Sequence, residues 1–134
     1  MKEHFPMRLD PWDDAARIAE RLTLRGAKLI VLVGAAGWCE KCRHALRAFD
    51  ARACSAPPHE THVCVDIEEH AGLLGAWIPE TLPLELVYEN GGLEAKRTWG
   101  AGVSDAVPVL EDLAEVPNLW RILGRPDWAG THSA

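Results

Sequence analysis

The sequence predicts an α/β domain in which helices cover both faces of one mixed central sheet, a three-layer α/β/α sandwich. Three observations carry that expectation. Short apolar strands alternate with helical periodicity along the first part of the chain, an Asn-Gly turn joins two later strands, and a helical stretch follows them. The expected order is βαβαβαββα, a βαβ core followed by an antiparallel hairpin and a closing helix. With 134 residues the chain has room for one domain with a real core. It is read as a single domain over 1–134, with a fold core at about 5–115 and a C-terminal extension over 116–134.

Each element has its own justification. Phe5 to Leu9 reads as a short edge strand, where Pro6 is tolerated. Asp10 is a favoured helix N-cap, and Pro11 suits the first helical position. Ala15, Ile18, Ala19 and Leu22 then recur at helical spacing until Gly26. Leu29 to Val33 is an unbroken apolar run rich in β-branched residues, which predicts a strand buried on both faces. A bend of small residues, Gly34 to Gly37, delivers the chain to Trp38-Cys39-Glu40-Lys41-Cys42. Cys42, Ala45, Leu46 and Phe49 form an apolar stripe, so a helix is expected from Cys39 to near Arg52.

Pro57-Pro58 marks the next loop, with His59 and His62 read as loop histidines, and His62 to Ile67 as a strand beginning beside them. Glu68 to Trp77 is expected to be a short helix carrying Leu73, Leu74 and Trp77, its two glutamates favoured at a helix N-terminus. Leu84 to Tyr88 and Leu93 to Trp99 flank Asn90-Gly91, the strongest short hairpin signal. A last helix is expected after Ser104, with Val107, Leu110, Leu113 and Ala114 on one face and Pro108 in its first turn. The tail adds one turn around Leu119, Trp120 and Leu123. Trp12, Trp77, Trp99 and Trp120 are expected in or near the core, while Trp128 in the tail is a candidate contact for a partner.

Composition excludes several classes. Lys+Arg 14 against Asp+Glu 20 gives a net charge of -6, which argues against nucleic acid as a partner. No apolar run approaches the roughly 18 residues of a membrane span, and the N-terminal residues lack the apolar stretch of a secretory signal, so the chain reads as cytoplasmic. Of the four cysteines, Cys39 and Cys42 form a C-x-x-C pair, while Cys54 and Cys64 read as loop and core residues. The pair leaves a redox and a metal reading. Structural zinc wants four ligands, and Cys39, Cys42 and His44 supply at most three, with His44 better read as a solvated helix residue. Haem c attachment fails because Arg43 stands where that motif needs histidine. A cluster bridging two chains is a further metal reading. Neither a metal nor an organic cofactor is expected.

At Trp38-Cys39-Glu40-Lys41-Cys42, directly after an apolar strand and opening a helix, the sequence resembles the thioredoxin-like superfamily. Leu82-Pro83 stands where that family carries its cis-proline, Leu86 to Gly91 looks like its hairpin strand and turn, and Gly100 resembles the glycine bordering its substrate groove. The resemblance runs from about Phe5 to about Glu115. It implies a thioredoxin-like sandwich, with Trp38, Leu82, Pro83 and Gly100 framing a groove for an extended client. Two departures stand out. Val33 occupies the position of the buried aspartate of the family's reductases, and Glu40-Lys41 replaces the Gly-Pro typical of reducing thioredoxins.

The chemistry of the pair follows from its placement. In the first helical turn, unpaired backbone N–H groups and the positive dipole end favour the Cys39 thiolate, which makes it the attacker. Cys42, three positions on and deeper on the same face, suits the resolving role. The expected function is thiol–disulfide oxidoreductase, reducing protein disulfides with electrons from another protein or a small thiol. With Val33 apolar, no proton acceptor for Cys42 is evident. The alternative is a non-catalytic module that holds a partner protein in the same groove. Oligomeric state, client and electron donor are not legible in the sequence.

Overall fold

The computed structural model describes residues 8–35, 40–75, 77, 79, 82–99, 106–108 and 116–124, with Lys41, Thr98, Trp99 and 106–108 described by their backbone. Among the described residues, five strands form one mixed sheet in the order β2-β1-β3-β4-β5. They are β1 (Lys28–Gly34), β2 (Glu60–Asp66), β3 (Leu84–Glu89), β4 (Gly92–Trp99) and β5 (Ala106–Pro108). The helices are α1 (Ala15–Arg21), α2 (Glu40–Cys54), α3 (Ala71–Leu74) and α4 (Leu119–Leu123). β1 pairs parallel with β2 and antiparallel with β3, so the expected mixed sheet is present, and β1 lies inside it.

Alternation of side chains across a strand explains the unbroken apolar run of β1. Leu29, Val31 and Val33 enter one cluster with Ile18, Leu73 and Leu119 from the helices α1, α3 and α4. Ile30 and Leu32 enter the other, against Ala45 and Phe49 of α2. On α2 the buried residues Cys42, Ala45, Phe49 and Ala53 repeat at helical spacing, so one stripe of the helix covers that face of the sheet. Burying the Phe49 ring alone stabilises this layer by about 2–3 kcal/mol. The hairpin closes on Asn90 (φ 54°) and Gly91 (φ 82°), both left-handed as a two-residue turn with the twist of the strands requires.

Four expectations need correction. Residues 106–108 are strand rather than helix: they pair with Arg97–Trp99 of β4, so the edge of β4 is used in preference to the helical pattern around Val107. Among the described residues of 68–77, the helix is the single turn α3. Asp66 Oδ1 caps the preceding turn by accepting from the N–H groups of Glu68 (2.8 Å) and Glu69 (3.1 Å), and Gly75 with φ 61° ends α3. The first helix starts later than Asp10, because Asp10 Oδ2 caps a turn through the N–H groups of Trp12 and Asp13 before Ala15 opens the helix. Of the two readings of His62 the strand holds and the loop does not: it lies in β2, buried against the Phe49 ring with centroids 5.1 Å apart. Of the expected first strand, Leu9 makes one parallel bridge to Val63, and Phe5 to Met7 lie outside the described residues.

Candidate functional site

Cys42 is the third residue of α2, and its side chain is 4 % exposed. It rests on the last residue of β1. A Cβ added to Gly34 would stand 3.2 Å from both Cβ and Sγ of Cys42, so the absence of a side chain at Gly34 is what lets the thiol approach the strand end so closely. Leu84 pairs with Val33 across the β1–β3 ladder, which puts the preceding Pro83 at the register level of Gly34. The Leu82–Pro83 peptide bond is cis; Pro83 is buried and Leu82 packs at the edge of the larger cluster. Three segments therefore meet at one end of the sheet: the end of β1, the start of α2 and the approach to β3. Trp38, Cys39 and Gly100 lie outside the described residues, as does Trp128.

A cavity of about 290 Å³ opens behind Cys42, between α2, the ends of β1 and β2, and the segment 8–14. Cys64 and Asp66 also line it. Asp66 is the register partner of Gly34 and lies on the same face of β2 as Cys64, toward α2. Burial pushes the Cys64 thiol up to about 12, with the Arg8 guanidinium opposing the shift in part. Such a thiol is inert in exchange, in keeping with a structural role. Cys54 is exposed at the far end of α2, and His44 is solvent-exposed.

One polar cluster at the cavity has no signature in the sequence. The Asp66 N–H donates to His70 Nδ1 (2.8 Å), so Nε2 carries the hydrogen that points to Asp10 Oδ1 at 3.1 Å. The Trp12 indole packs edge-on against the His70 ring, with centroids 5.3 Å apart, and its Nε1 donates to the Glu69 carbonyl at 3.3 Å. Asp10, Glu69 and His70 bring side-chain atoms within 4.8 Å of one another. Both ring nitrogens of His70 are committed to hydrogen bonds, so the cluster acts as a clasp joining the N-terminal segment to the end of β2. Asp10 and His70 lie sixty positions apart, and their sequence spacing carries no signal of the contact.

Behind the site, the fully buried Glu85 of β3 accepts from Arg52 of α2 (2.9 Å) and Arg97 of β4 (3.2 Å). This carboxylate ties the helix that carries Cys42 to the strand that follows Pro83. It is a charged bond across the α2 face of the sheet.

The mixed sheet with helices on both faces is a thioredoxin-like α/β fold. Among solved structures, the chain is similar to the short form of thioredoxin f from spinach chloroplast, with a TM-score of 0.57 and 12 % identity over 73 % of this chain and 86 % of that one. It is also similar to thioredoxin from Trypanosoma brucei brucei, with a TM-score of 0.55 and 16 % identity over 72 % and 81 % of the two chains. At these identities the likeness is one of fold. No family model and no curated protein matches the sequence. Among the described residues no helix is long and apolar enough to cross a membrane.

Proposed function

We propose that this chain is a thiol–disulfide oxidoreductase that reduces protein disulfides through Cys39 and Cys42. The observation that carries the reading is the seat of Cys42: a buried cysteine in the first turn of a long helix, packed on the terminal glycine of the central strand, in a thioredoxin-like fold. Cys39, three positions earlier and just before α2 begins, is the attacking thiolate. It displaces one sulfur of a client disulfide and forms a mixed disulfide. Cys42 then attacks the Cys39 sulfur, the client leaves as a dithiol, and the pair is left oxidised. An electron-donor protein or a small thiol restores it. Trp38, Leu82, Pro83 and Gly100 frame the client groove, with the Leu82 backbone pairing with an extended client segment. The proposal takes 1–134 as one domain, with its fold core at about 5–115, working in a reducing compartment such as the cytoplasm.

Reduction of a model protein disulfide, with dithiothreitol as the electron source, tests the reading. The wild-type chain is expected to accelerate the reaction and Cys39→Ser to abolish the acceleration. Cys42→Ser is expected to accumulate the mixed disulfide, visible by mass spectrometry. If Cys39→Ser reduces the client as fast as wild type, the function is not this chemistry, and the non-catalytic binding module takes its place.

A further inference from the structure

Cys42 must lose its proton before it can attack, and Val33 has none of the chemistry to take it. That side chain is fully buried and packs into the apolar cluster on the opposite face of the sheet from α2. A proton acceptor has to come from the face on which Cys42 sits. We propose that Asp66, at the end of β2, accepts the Cys42 proton through water in the cavity that the two residues share. The inference rests on the oxidoreductase reading and supplies the step that reading lacks.

Three observations carry it. Gly34 touches Cys42, and Asp66 is the register partner of Gly34 on the neighbouring strand. The parity of β2 turns Asp66 toward α2, alongside Cys64 and away from Val65. Cys42 and Asp66 both line a cavity of about 290 Å³, ample for the water that a one-step relay needs.

The other titratable groups facing this cavity are Arg8, Asp10 and Asp14 from the N-terminal segment, Cys64 from β2, and Glu69 and His70 from the turn. Arg8 is a cation and accepts no proton. Cys64 is held protonated by burial. Asp10 takes His70 on one oxygen and two backbone N–H groups on the other. Asp14 Oδ2 accepts from the Asp10 N–H, and His70 has both ring nitrogens in hydrogen bonds. The Glu69 side chain is 67 % exposed, its carboxylate drawn to the outer edge of the His70 ring. Asp66 is the carboxylate that strand register sets beside Gly34, the residue on which Cys42 rests.

The step balances. The Cys42 thiol gives its proton by way of water to the Asp66 carboxylate and becomes a thiolate. That thiolate attacks Cys39 sulfur in the mixed disulfide, forming the Cys39–Cys42 bond and expelling the client sulfur as a thiolate. The expelled thiolate takes up the proton held by Asp66, again through water. Two electrons pass from the dithiol to the client disulfide, and Asp66 ends as it began.

Stopped-flow reduction of a fluorogenic disulfide peptide separates the two chemical phases, because attack by Cys39 scales with peptide concentration and resolution by Cys42 does not. The resolution phase of the wild-type chain is expected to change little between pH 6 and pH 8. In Asp66→Asn it is expected to become proportional to hydroxide and to slow at least tenfold at pH 7, with the attack phase within twofold of wild type. Asparagine keeps the Oδ1 acceptor for the Glu68 and Glu69 N–H groups. Asp66→Ser, a second capping residue without a carboxylate, must behave the same way, and Asp66→Glu must restore part of the flat profile. The inference is overturned if either carboxylate-free variant that folds, by circular dichroism, keeps the wild-type pH profile of resolution. A wild-type chain whose mixed disulfide never resolves overturns the inference and the oxidoreductase reading together; a normal profile in the variants sinks the inference alone.

Discussion

The two faces of the sheet are built from the same five strands and differ sharply in what they bury. Beneath α1, α3 and α4 lies the larger apolar cluster, from Leu9 and Ile18 through Val31 and Leu86 to Leu119 and Leu123. Polar atoms at its edge are paired: the Tyr88 hydroxyl donates to the Pro117 carbonyl at 2.9 Å, and Arg21 Nε donates to Thr61 Oγ1 at 3.0 Å. Beneath α2 the apolar cluster is small, centred on Ile30, Leu32, Ala45, Phe49 and Val87. Around it stand buried His62 and Glu85, with Cys42, Cys64 and Asp66 toward the strand ends. Alternation along each strand makes this division possible, since neighbouring residues serve different layers. Cohesion is concentrated on one side, and the buried Glu85 carboxylate, His62 imidazole and Cys42 thiol stand on the other.

The most forceful test of that division is the charged triad at Glu85. A fully buried carboxylate is tolerable only while its cations stay in place, whereas Arg52 and Arg97 each keep 38 % of their side-chain surface in water. Removing the cations should therefore hurt far more than removing the anion. Replacing both arginines (Arg52→Met with Arg97→Met) leaves a buried unpaired charge and is expected to cost about 3–5 kcal/mol at pH 7. Glu85→Met keeps the volume, frees the arginines to solvent and is expected to stay within about 1 kcal/mol of wild type. Urea unfolding reads both. If the two changes cost the same, the α2 face is held by the carboxylate itself and not by compensation of a buried charge.

His62 gives the next largest effect, as a dependence on pH. Burial holds its imidazole down to about 4 from 6.5, with the Arg52 guanidinium adding to the shift and Glu85 opposing it. Between those values the unfolded chain binds a proton that the folded chain refuses. The contribution of His62 to stability is therefore intact above pH 6.5, falls as pH drops through the window, and levels off below about 4. The full loss is on the order of 3 kcal/mol. Urea midpoints between pH 7 and pH 4.5 should fall more steeply for wild type than for His62→Phe, which keeps an aromatic ring against Phe49 and cannot titrate. Equal slopes would mean that the ring is solvated in the native state and that this face is wetter than its packing implies.

Much of this architecture was legible because hydrophobic pattern and turn chemistry are local. β1 announces itself as a run bounded by Lys28 and Gly34, and the hairpin by Asn90-Gly91. The stripe Cys42, Ala45 and Phe49 gives α2 and the face it buries. What escaped depends on partners distant in sequence. β5 forms because the β4 edge offers hydrogen bonds to residues 106–108, which local periodicity does not register. His62 and Glu85 look like surface residues until Phe49, Arg52 and Arg97 are brought over them. The site divides the same way. Cys42 and Pro83 could be picked out from spacing and resemblance, but Asp66 reaches the cavity that Cys42 lines only through the register that sets it against Gly34.

Gly34→Ala carries the smallest expected change in stability and the sharpest contrast with it in function. In an extended strand, alanine lowers the entropy of the unfolded chain by the equivalent of about 0.4–1 kcal/mol in favour of folding. Against that, the new methyl would meet Cys42 Cβ and Sγ at 3.2 Å, so the start of α2 must give by a few tenths of an ångström. The two effects are of similar size and opposite sign, and the thermal midpoint is expected to move by less than about 4 °C. Reactivity has no such compensation. A displacement of about 1 Å from productive geometry costs roughly a hundredfold, and if the proposed exchange runs through Cys42, a shift of this smaller size at its sulfur should slow client reduction several-fold. The measurement pairs a thermal melt with the reduction rate of the model disulfide. A large fall in midpoint with an unchanged rate would invert the contrast between the faces, making the Gly34–Cys42 contact a packing element and moving the chemistry elsewhere.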